Sequence, residues 1–395
     1  MSCPMGRHTR WFVTVVAGVA ILAVSGCGLS FDVDPMTGSP SAVETAEPTA
    51  SPEPTPSAEP TDRPYDPNDP TTWTDRQLVA QTIFVCTSVA NVGGARNAVS
   101  KGIGGVVFLG GEAPSDLKRQ IALLVKKSRG KIAPLIASDE EGGAVQRLAS
   151  AIYPLPSARV MGTWDASRIT STAKDYGKSM KRLGVDMAFS PVADLNIPGQ
   201  FIATQSRAFS DDPKRVGNAA VAWATGLDRA GVAPVVKHWP GHGRASDTHR
   251  KPGRLPSYSK LAKADLTPFS QAIREGFTAV MVGHLESAGL TERGVPASRS
   301  PKALAVLRDE IGPDGLIITD SLSMEAALIG VRHRSADAVY KSLDAGADVA
   351  VICSAPAQIV NRVAVKVSDT DLSRAELIEK VARILAWKKR LGVID

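Results

Sequence analysis

Short apolar runs alternate with longer amphipathic stretches from about residue 71 to the C-terminus of this 395-residue chain. Apolar runs bounded by turn residues are typical of buried strands, and amphipathic stretches are typical of helices. Seven strands are predicted at 105–109, 134–137, 186–190, 233–236, 279–282, 316–319 and 348–352, and an eighth near 82–85. This regular alternation predicts a parallel sheet with helices on both of its faces.

The predicted helices carry recognisable start signals. Three of them open with proline, over residues 213–229, 268–275 and 301–310. The first and last helices follow capping-box patterns, Thr74 with Gln77 and Ser373 with Glu376. Length and repetition favour a single (β/α)8 TIM-type barrel over residues 71–395 rather than a doubly wound sheet. No second domain of any size fits in the remaining residues.

The N-terminus has the pattern of an export signal, predicted over residues 1–26. Arg7 and Arg10 form a basic segment, and an apolar segment at 11–24 follows that is too short for a stable membrane span. Small residues then stand directly before Cys27, as in a bacterial lipobox. We therefore predict that Cys27 is lipidated and anchors an exported protein to the cell membrane, facing the cell wall. The alternative is a simple secretory signal with a chance cysteine.

Residues 27–70 form a predicted linker rich in proline, threonine, serine and glutamate. The segment has no apolar periodicity and cannot bury enough surface to fold alone. Its prolines favour extended, semi-rigid geometry, so it is either a spacer between membrane and catalytic domain or an unselected tail.

Charge and cysteine content narrow the class of protein further. The formal charge is +6, aromatic residues are few, and Lys and Arg are scattered, which argues against a nucleic-acid partner. We expect a monomer. Cys86 and Cys353 both lie in apolar runs, so two buried free thiols are predicted in preference to a disulfide.

The most unusual stretch is Lys-His-Trp-Pro-Gly-His-Gly at 237–243, followed by Asp247 and His249. Four of the six histidines lie between His238 and His284. Proline and glycine prevent a regular helix here, and an apolar run at 232–236 precedes the stretch. The stretch is therefore predicted to leave the C-terminal end of a strand, where parallel α/β folds place their active sites.

Three interpretations of this loop are open. It is a polar loop with capping histidines, a metal site using His238, His242, Asp247 and His249, or a catalytic loop. In the third interpretation Asp247 orients His249, because a carboxylate that accepts from one imidazole nitrogen leaves the other free to move a proton.

The 237–243 stretch with its following Asp-Thr-His resembles the signature of glycoside hydrolase family 3, in the β-N-acetylglucosaminidase branch of peptidoglycan turnover. The resemblance covers most of the chain from about residue 71 and implies the same barrel. It implies that Lys237 and His238 bind sugar and that His242 is structural. Asp247 and His249 then form the acid/base pair.

Other strand ends carry further segments similar to the family's motifs. Residues 139–147 resemble its Asp-x-Glu-Gly-Gly-x-Val-x-Arg motif, which implies sugar binding by Asp139 and Arg147, with Ala144 where the family often has arginine. Glu140 and Glu141 are interpreted as loop support. The segment at 206–210 is similar to the family's Arg-(Ser/Ala)-Phe segment, which implies that Arg207 reaches the saccharide.

Two carboxylates after predicted strands receive different interpretations. Asp194 is interpreted as orienting its loop. Asp320 follows the strand at 316–319 and aligns with the family's nucleophile position. By contrast, Asp314 and Asp348 precede strands, at the end of a barrel that carries no chemistry.

Taken with the resemblance, these residues predict a retaining exo-β-N-acetylglucosaminidase acting on peptidoglycan-derived saccharides, with no metal or organic cofactor. Asp320 is the predicted nucleophile and His249 the predicted acid/base. Because a neutral imidazole does not repel an anionic acceptor, a β-N-acetylglucosaminide phosphorylase is the nearest alternative. A surface-anchored wall-binding protein without activity is the alternative from another class.

Overall fold

The computed structural model describes residues 64–128, 130–332, 334–353, 356–367 and 372–395. The predicted export signal, Cys27 and most of the predicted linker lie outside these residues. No helix in the described ranges is both long and apolar enough to cross a membrane. At the first described positions, the Trp73 indole donates a hydrogen bond to the Asp66 carbonyl at 2.6 Å. The rings of Tyr65 and Trp73 lie 5.8 Å apart.

Most strands are short and carry buried side chains. They are β1 (Ile83–Ser88), β2 (Gly105–Leu109), β3 (Leu135–Ser138), β4 (Glu140–Gly142), β5 (Val145–Gln146), β6 (Met187–Ala188), β7 (Ala233–Pro234), β8 (Val236–Trp239), β9 (Gly253–Arg254), β10 (Ala279–Val282), β11 (Leu285–Glu286), β12 (Leu316–Thr319) and β13 (Ala350–Ile352).

The helices alternate with these strands. They are α1 (Asp75–Gln81), α2 (Arg96–Ser100), α3 (Leu117–Val125), α4 (Ala158–Met161), α5 (Ala166–Leu183), α6 (Phe201–Thr204), α7 (Pro213–Asp228), α8 (Tyr258–Leu261), α9 (Thr267–Arg274), α10 (Pro301–Ile311), α11 (Ser335–Asp344), α12 (Pro356–Val367) and α13 (Arg374–Arg390).

The main strands are parallel throughout. A six-stranded sheet has the order β13-β1-β2-β3-β6-β7, and a three-stranded sheet has the order β12-β10-β8. Single bridges between Val192 and Lys237, and between Ile318 and Val349, connect neighbouring strands of the two sheets. The α/β class with parallel strands is confirmed. Closure of the two sheets into one continuous barrel ladder stays a prediction.

Local signals located the elements well because each signal acts over a few residues. All eight predicted strand positions are strands, including the eighth as β1. The capping boxes that open α1 and α13 are both formed. Helix α7 starts at Pro213, and the Asp212 side chain caps it by accepting from the Arg215 backbone N–H at 2.7 Å.

The N-terminal ends of the strands are closed by α13. Its Ile384 and Trp387 pack with inward-facing strand residues such as Phe84 and Met187. Beside them the buried Lys388 ammonium donates to the Ala133 carbonyl and to the Gln81 side chain, both at 2.8 Å.

The carboxylate of Asp348, which precedes β13, is also buried at this end of the strands. Arg308 and Arg383 bind it at 2.5 and 2.9 Å. The assignment of Asp348 to the non-catalytic end of the strands agrees with this position.

The prediction that Cys86 and Cys353 are buried free thiols is wrong. They form a disulfide with a Cα–Cα distance of 4.6 Å. Cys86 is half-buried and Cys353 is exposed. The apolar runs around the cysteines belong to β1 and β13, and the parallel pairing of these strands brings together residues 267 positions apart.

Candidate active site

A cavity of about 270 Å³ opens at the C-terminal ends of the parallel strands. The eight candidate residues from the sequence include seven of its lining side chains, which are Asp139, Arg147, Arg207, Lys237, His238, His249 and Asp320. The eighth, Asp247, is hydrogen-bonded to His249. Tertiary folding therefore brings together motifs that lie up to about 180 positions apart in the chain.

A β-hairpin brings both ends of the 139–147 motif to the cavity. Strands β4 and β5 pair antiparallel, and Gly142 turns between them at a φ of +85°. A Cβ at Gly142 would lie 2.2 Å from the Pro156 carbonyl oxygen, so only glycine fits this turn. The hairpin returns Arg147 to Asp139, whose side chains approach to 3.5 Å. Proximity of the two predicted sugar-binding residues follows from the turn.

A buried ion network forms one wall of the cavity. The Lys237 ammonium lies 2.6 Å from Asp139 and 2.7 Å from Glu141, and its side chain is only 2% exposed. Arg207 binds Glu141 through both Nε and Nη2, at 2.7 and 2.9 Å. Burial alone would raise the pKa of Glu141, but the charges of Arg207 and Lys237 hold it well below its ordinary value.

From the sequence Glu141 is interpreted as loop support, and the structure adds a specific role: its carboxylate fixes the position of two predicted sugar-binding cations, Lys237 and Arg207. Glu141 leaves Nη1 of Arg207 unused. The neighbouring Glu140 turns away from the cavity and accepts from Ser138, Tyr176 and two backbone N–H groups.

Asp194 holds both histidines of the central stretch. Its carboxylate contacts His238 Nδ1 at 2.7 Å and accepts from the His242 backbone N–H, also at 2.7 Å. Although burial opposes it, the facing histidines lower the pKa of Asp194. The contact through Nδ1 leaves His238 Nε2 for a ligand in the cavity. This arrangement agrees with the interpretation of Asp194 as a loop-orienting residue.

Asp320 follows β12 directly and lies half-buried on the cavity wall. Its Oδ1 accepts a hydrogen bond of 2.7 Å from the Ser321 backbone N–H. Burial would raise the pKa of Asp320, but the charges of His238 and His284 and this hydrogen bond lower it to about 2. The carboxylate is therefore ionised across the physiological range.

Asp247 and His249 form a hydrogen-bonded pair at the cavity rim. Asp247 Oδ1 lies 2.8 Å from His249 Nδ1 and also accepts from the His249 backbone N–H at 3.0 Å. The His249 side chain is 62% exposed, so its Nε2 edge is open to ligands and water. The bond to Nδ1 favours the tautomer or charge state that a proton donor needs.

The other two histidines near the site, His242 and His284, use ring nitrogens in hydrogen bonds within the protein. His284 uses both ring nitrogens, with Ser298 Oγ at 2.8 Å and the Ser321 carbonyl at 2.9 Å. His242 is buried and bonds Thr248 through Nε2, whereas its Nδ1 has no partner among the described residues. Burial lowers the pKa of His242 to about 4. Within the described ranges, no three His, Cys, Asp or Glu side chains are placed to share a metal ion.

Some lining residues were not predicted. Phe201 lies 5.9 Å from the His242 ring and 6.1 Å from the His249 ring, and no periodic signal in the sequence marks it. The disulfide-bonded Cys86 and Cys353 also line the cavity. Counting the cysteines could have found this pair. If Cys3 leaves with the predicted signal and Cys27 is lipidated as predicted, two cysteines remain in an exported protein, where disulfides are common.

The chain is similar to known proteins over most of its length. The family model “Glycosyl hydrolase family 3 N terminal domain” matches residues 85–387. Beta-hexosaminidase LpqI of Mycobacterium tuberculosis is 34% identical over 290 residues, covering 71% of this chain and 74% of LpqI.

Two solved structures share the fold. A glycosyl hydrolase of the GH3 family from Mycobacterium smegmatis matches with a TM-score of 0.73 and 34% identity, covering 81% of this chain and 98% of that chain. A family 3 β-N-acetylglucosaminidase from a Paenibacillus species matches with a TM-score of 0.75 and 27% identity, covering 81% of this chain and 63% of that chain.

Proposed function

Because this chain belongs to glycosyl hydrolase family 3, we propose that it is a retaining exo-β-N-acetylglucosaminidase in which Asp320 is the nucleophile. The chain is a glycoside hydrolase, and its relatives are named β-hexosaminidases and β-N-acetylglucosaminidases. The observation that carries the proposed mechanism is the position of Asp320, directly after β12, in the same cavity as the predicted sugar-binding network and His249.

In the first step, the Asp320 carboxylate attacks the anomeric carbon and forms a covalent glycosyl-enzyme. An ionised carboxylate is both a competent nucleophile and, later, a competent leaving group. His249 protonates the departing glycosidic oxygen through Nε2, while Asp247 stabilises the imidazolium through Nδ1. Charge-assisted hydrogen bonds from Lys237, Arg207 and Arg147 suit the hydroxyl groups of the sugar ring.

In the second step, His249 Nε2 removes a proton from the incoming water, which displaces Asp320 from the anomeric carbon. Attack from the face opposite the nucleophile restores the original β configuration. The exposed position of His249 supports this role, because the same nitrogen must meet first a leaving group and then solvent. A histidine here departs from the usual pair of carboxylates in glycosidases.

The cavity supports exo-cleavage of a single sugar by water. Its volume of about 270 Å³ lies just below the range of about 300–1,000 Å³ for drug-sized ligands. Three cations line it (Arg147, Arg207 and Lys237), and three carboxylates balance them (Asp139, Glu141 and Asp320). This balance leaves no surplus positive charge for an anionic acceptor, which favours hydrolysis over phosphorolysis. Reaction in added phosphate tests the alternative, since a phosphorylase would release the sugar 1-phosphate.

The N-terminal pattern and the named relatives support a proposal for the physiological setting. We propose peptidoglycan-derived saccharides with a terminal β-linked N-acetylglucosamine as substrates, and a monomeric enzyme held on the outer face of the cell membrane through Cys27. The segment of 45 residues between Cys27 and Trp73 supports a spacer role, because its prolines favour an extended chain.

The decisive test is a chromogenic assay combined with active-site labelling. We expect the wild-type chain to cleave 4-nitrophenyl N-acetyl-β-glucosaminide and a fluorinated N-acetylglucosaminyl inactivator to label Asp320, as read by peptide mass spectrometry. Asp320→Asn, which keeps the shape and removes the charge, should prevent labelling. Asp314→Asn is the matched control, since Asp314 lies before a strand and is exposed. Labelling at another residue would contradict the assignment of the nucleophile.

A further inference from the structure

The Cys86–Cys353 disulfide lies in the wall of the candidate active-site cavity. The β1–β13 ladder pairs Val85 with Ile352, so the two cysteines are the next opposed pair beyond it. Their Cα–Cα distance of 4.6 Å is close to the spacing of neighbouring strands, about 4.8 Å. The bond therefore ties two strand ends together at the edge where the cavity opens.

The disulfide contacts the loop that follows Asp320. The Ser321 hydroxyl donates to Cys353 Sγ at 3.2 Å, and the Cys353 backbone N–H donates to Ser323 Oγ at 3.0 Å. One residue on, the Leu322 backbone N–H donates to the Val351 carbonyl at 2.9 Å. Three successive loop residues are thus held by the end of β13, and the disulfide joins that end to β1.

Ser321 links this anchoring to the carboxylate. Its backbone N–H donates to Asp320 Oδ1 at 2.7 Å, and its carbonyl accepts from His284 Nε2 at 2.9 Å. The group that orients the carboxylate therefore belongs to the residue that is held by the disulfide sulfur. None of these contacts involves the network of Asp139, Glu141 and Lys237, which lies on β4, on β8 and at the junction of β3 and β4.

We propose that the Cys86–Cys353 disulfide and Ser321 are positioning elements for Asp320, an inference that rests on the proposed role of Asp320 as nucleophile. Opening the disulfide removes the covalent tie between β1 and the segment that holds the loop. The Asp320 carboxylate then samples positions away from the anomeric carbon. A misplacement of 1 Å costs about a hundredfold in rate, so a smaller displacement here predicts a fall in kcat of about three- to thirtyfold. KM stays nearly unchanged because the sugar-binding network is untouched.

The first test is reversible reduction of the full-length enzyme. Dithiothreitol reduces the disulfide to two thiols and is itself oxidised to its cyclic disulfide, and the exposure of Cys353 makes the bond accessible. We expect kcat to fall on reduction and to recover on reoxidation. The Cys86→Ala/Cys353→Ala variant should match the reduced enzyme and be insensitive to dithiothreitol. Equal kcat in oxidised and reduced wild type would overturn the proposal.

The second test keeps the disulfide and therefore avoids any loss of folding stability from its removal. Ser321→Ala removes only the hydroxyl, which donates to Cys353 Sγ and accepts from the Ser323 backbone N–H at 3.4 Å, and we expect a lower kcat at nearly constant KM. Ser100→Ala is the control, because it also removes a serine hydroxyl that donates a hydrogen bond, here to the Asn97 carbonyl at 2.9 Å. Ser100 precedes β2 and therefore lies at the far end of the strands from the cavity. A loss that is the same in both variants, or absent from Ser321→Ala, would refute the role of Ser321.

Labelling separates failure of this inference from failure of the proposed function. If the fluorinated inactivator labels Asp320 faster in the oxidised than in the reduced enzyme, positioning is supported. If Asp320 is labelled at the same rate in both forms, the nucleophile assignment stands and the positioning inference is wrong. If the label appears on another residue, the nucleophile assignment fails and this inference fails with it.

Discussion

Replacement of His249 by alanine tests the acid/base assignment most directly. The structure gives this imidazole one bound nitrogen, Nδ1, at 2.8 Å from Asp247, and leaves the other open at the cavity rim. Removing it takes away the proton donor of the first step and the base of the second. It removes no contact to the buried network around Lys237, so substrate binding should be largely retained.

The expected loss depends on the leaving group. General acid–base catalysis contributes about 100- to 10,000-fold, or about 2.7–5.4 kcal/mol at 1.36 kcal/mol per factor of ten. A disaccharide, whose sugar leaving group needs a proton, should lose this full amount in kcat/KM. A nitrophenyl glycoside should lose little in kcat/KM because nitrophenolate departs unprotonated. Its kcat should still fall, since water has lost its base and the glycosyl-enzyme accumulates.

Two matched variants calibrate the result. In Asp247→Asn the imidazole remains but loses the carboxylate that stabilises its charged form, so the loss should be smaller than in His249→Ala. In Arg250→Ala only an 87% exposed guanidinium at 3.6 Å from Asp247 is removed. Exposed ion pairs contribute about 1 kcal/mol or less, so activity should change by a fewfold at most.

The assay is steady-state and pre-steady-state kinetics with and without azide. Azide attacks the anomeric carbon without needing a base, so it should restore turnover of the nitrophenyl glycoside by His249→Ala and yield the β-glycosyl azide. The β configuration of that product also reports the retaining mechanism. Accumulation of the intermediate should appear as a burst of nitrophenolate that azide abolishes.

The assignment would be refuted if azide has no effect and the loss is equal for good and poor leaving groups. His284 is then a weak substitute, because both of its ring nitrogens are already hydrogen-bonded. His242 is the better one, since its Nδ1 is buried beside the cavity with no partner among the described residues.

Three further predictions concern the rest of the chain. Burial lowers the pKa of Lys388 to about 7, so the unfolded chain binds its proton more tightly between about pH 7 and 10.5. The free energy of unfolding, measured by denaturant titration, should therefore rise with pH across that window by up to about 5 kcal/mol. Lys388→Met should remove this pH dependence, whereas replacement of the exposed Lys389 by methionine should retain it. A chain starting at Pro64 should match the full-length enzyme in kinetics and melting temperature. A start at Thr71 should lose about 1 kcal/mol from the hydrogen bond between Trp73 and Asp66, and equal melting temperatures would contradict this. Cys27→Ala should release the protein from membranes, whereas retained acyl labelling would exclude lipidation at that residue.

The sequence alone located the secondary-structure elements and predicted which residues line the site. Proline starts, capping boxes and apolar runs are local signals, and they located the helix start at Pro213 and the strand before Asp320 because these preferences act within a few residues. The 237–249 stretch also predicted a loop at the site, and its Lys237, His238 and His249 do line the cavity. Placement after strands then predicted one shared edge, and the structure brings Asp139, His238 and Asp320 to one cavity.

Tertiary structure alone decided which partner each of these residues takes. Lys237 is 96 positions from Glu141 in the chain, and Asp194 is 44 positions from His238, so no local pattern encodes either pair. The disulfide is the clearest case. An apolar neighbourhood predicts burial correctly for most residues, but the pairing of Cys86 with Cys353 depends on which strands become neighbours. Strand order is a property of the whole fold, because it is set by how all the helices and strands pack together.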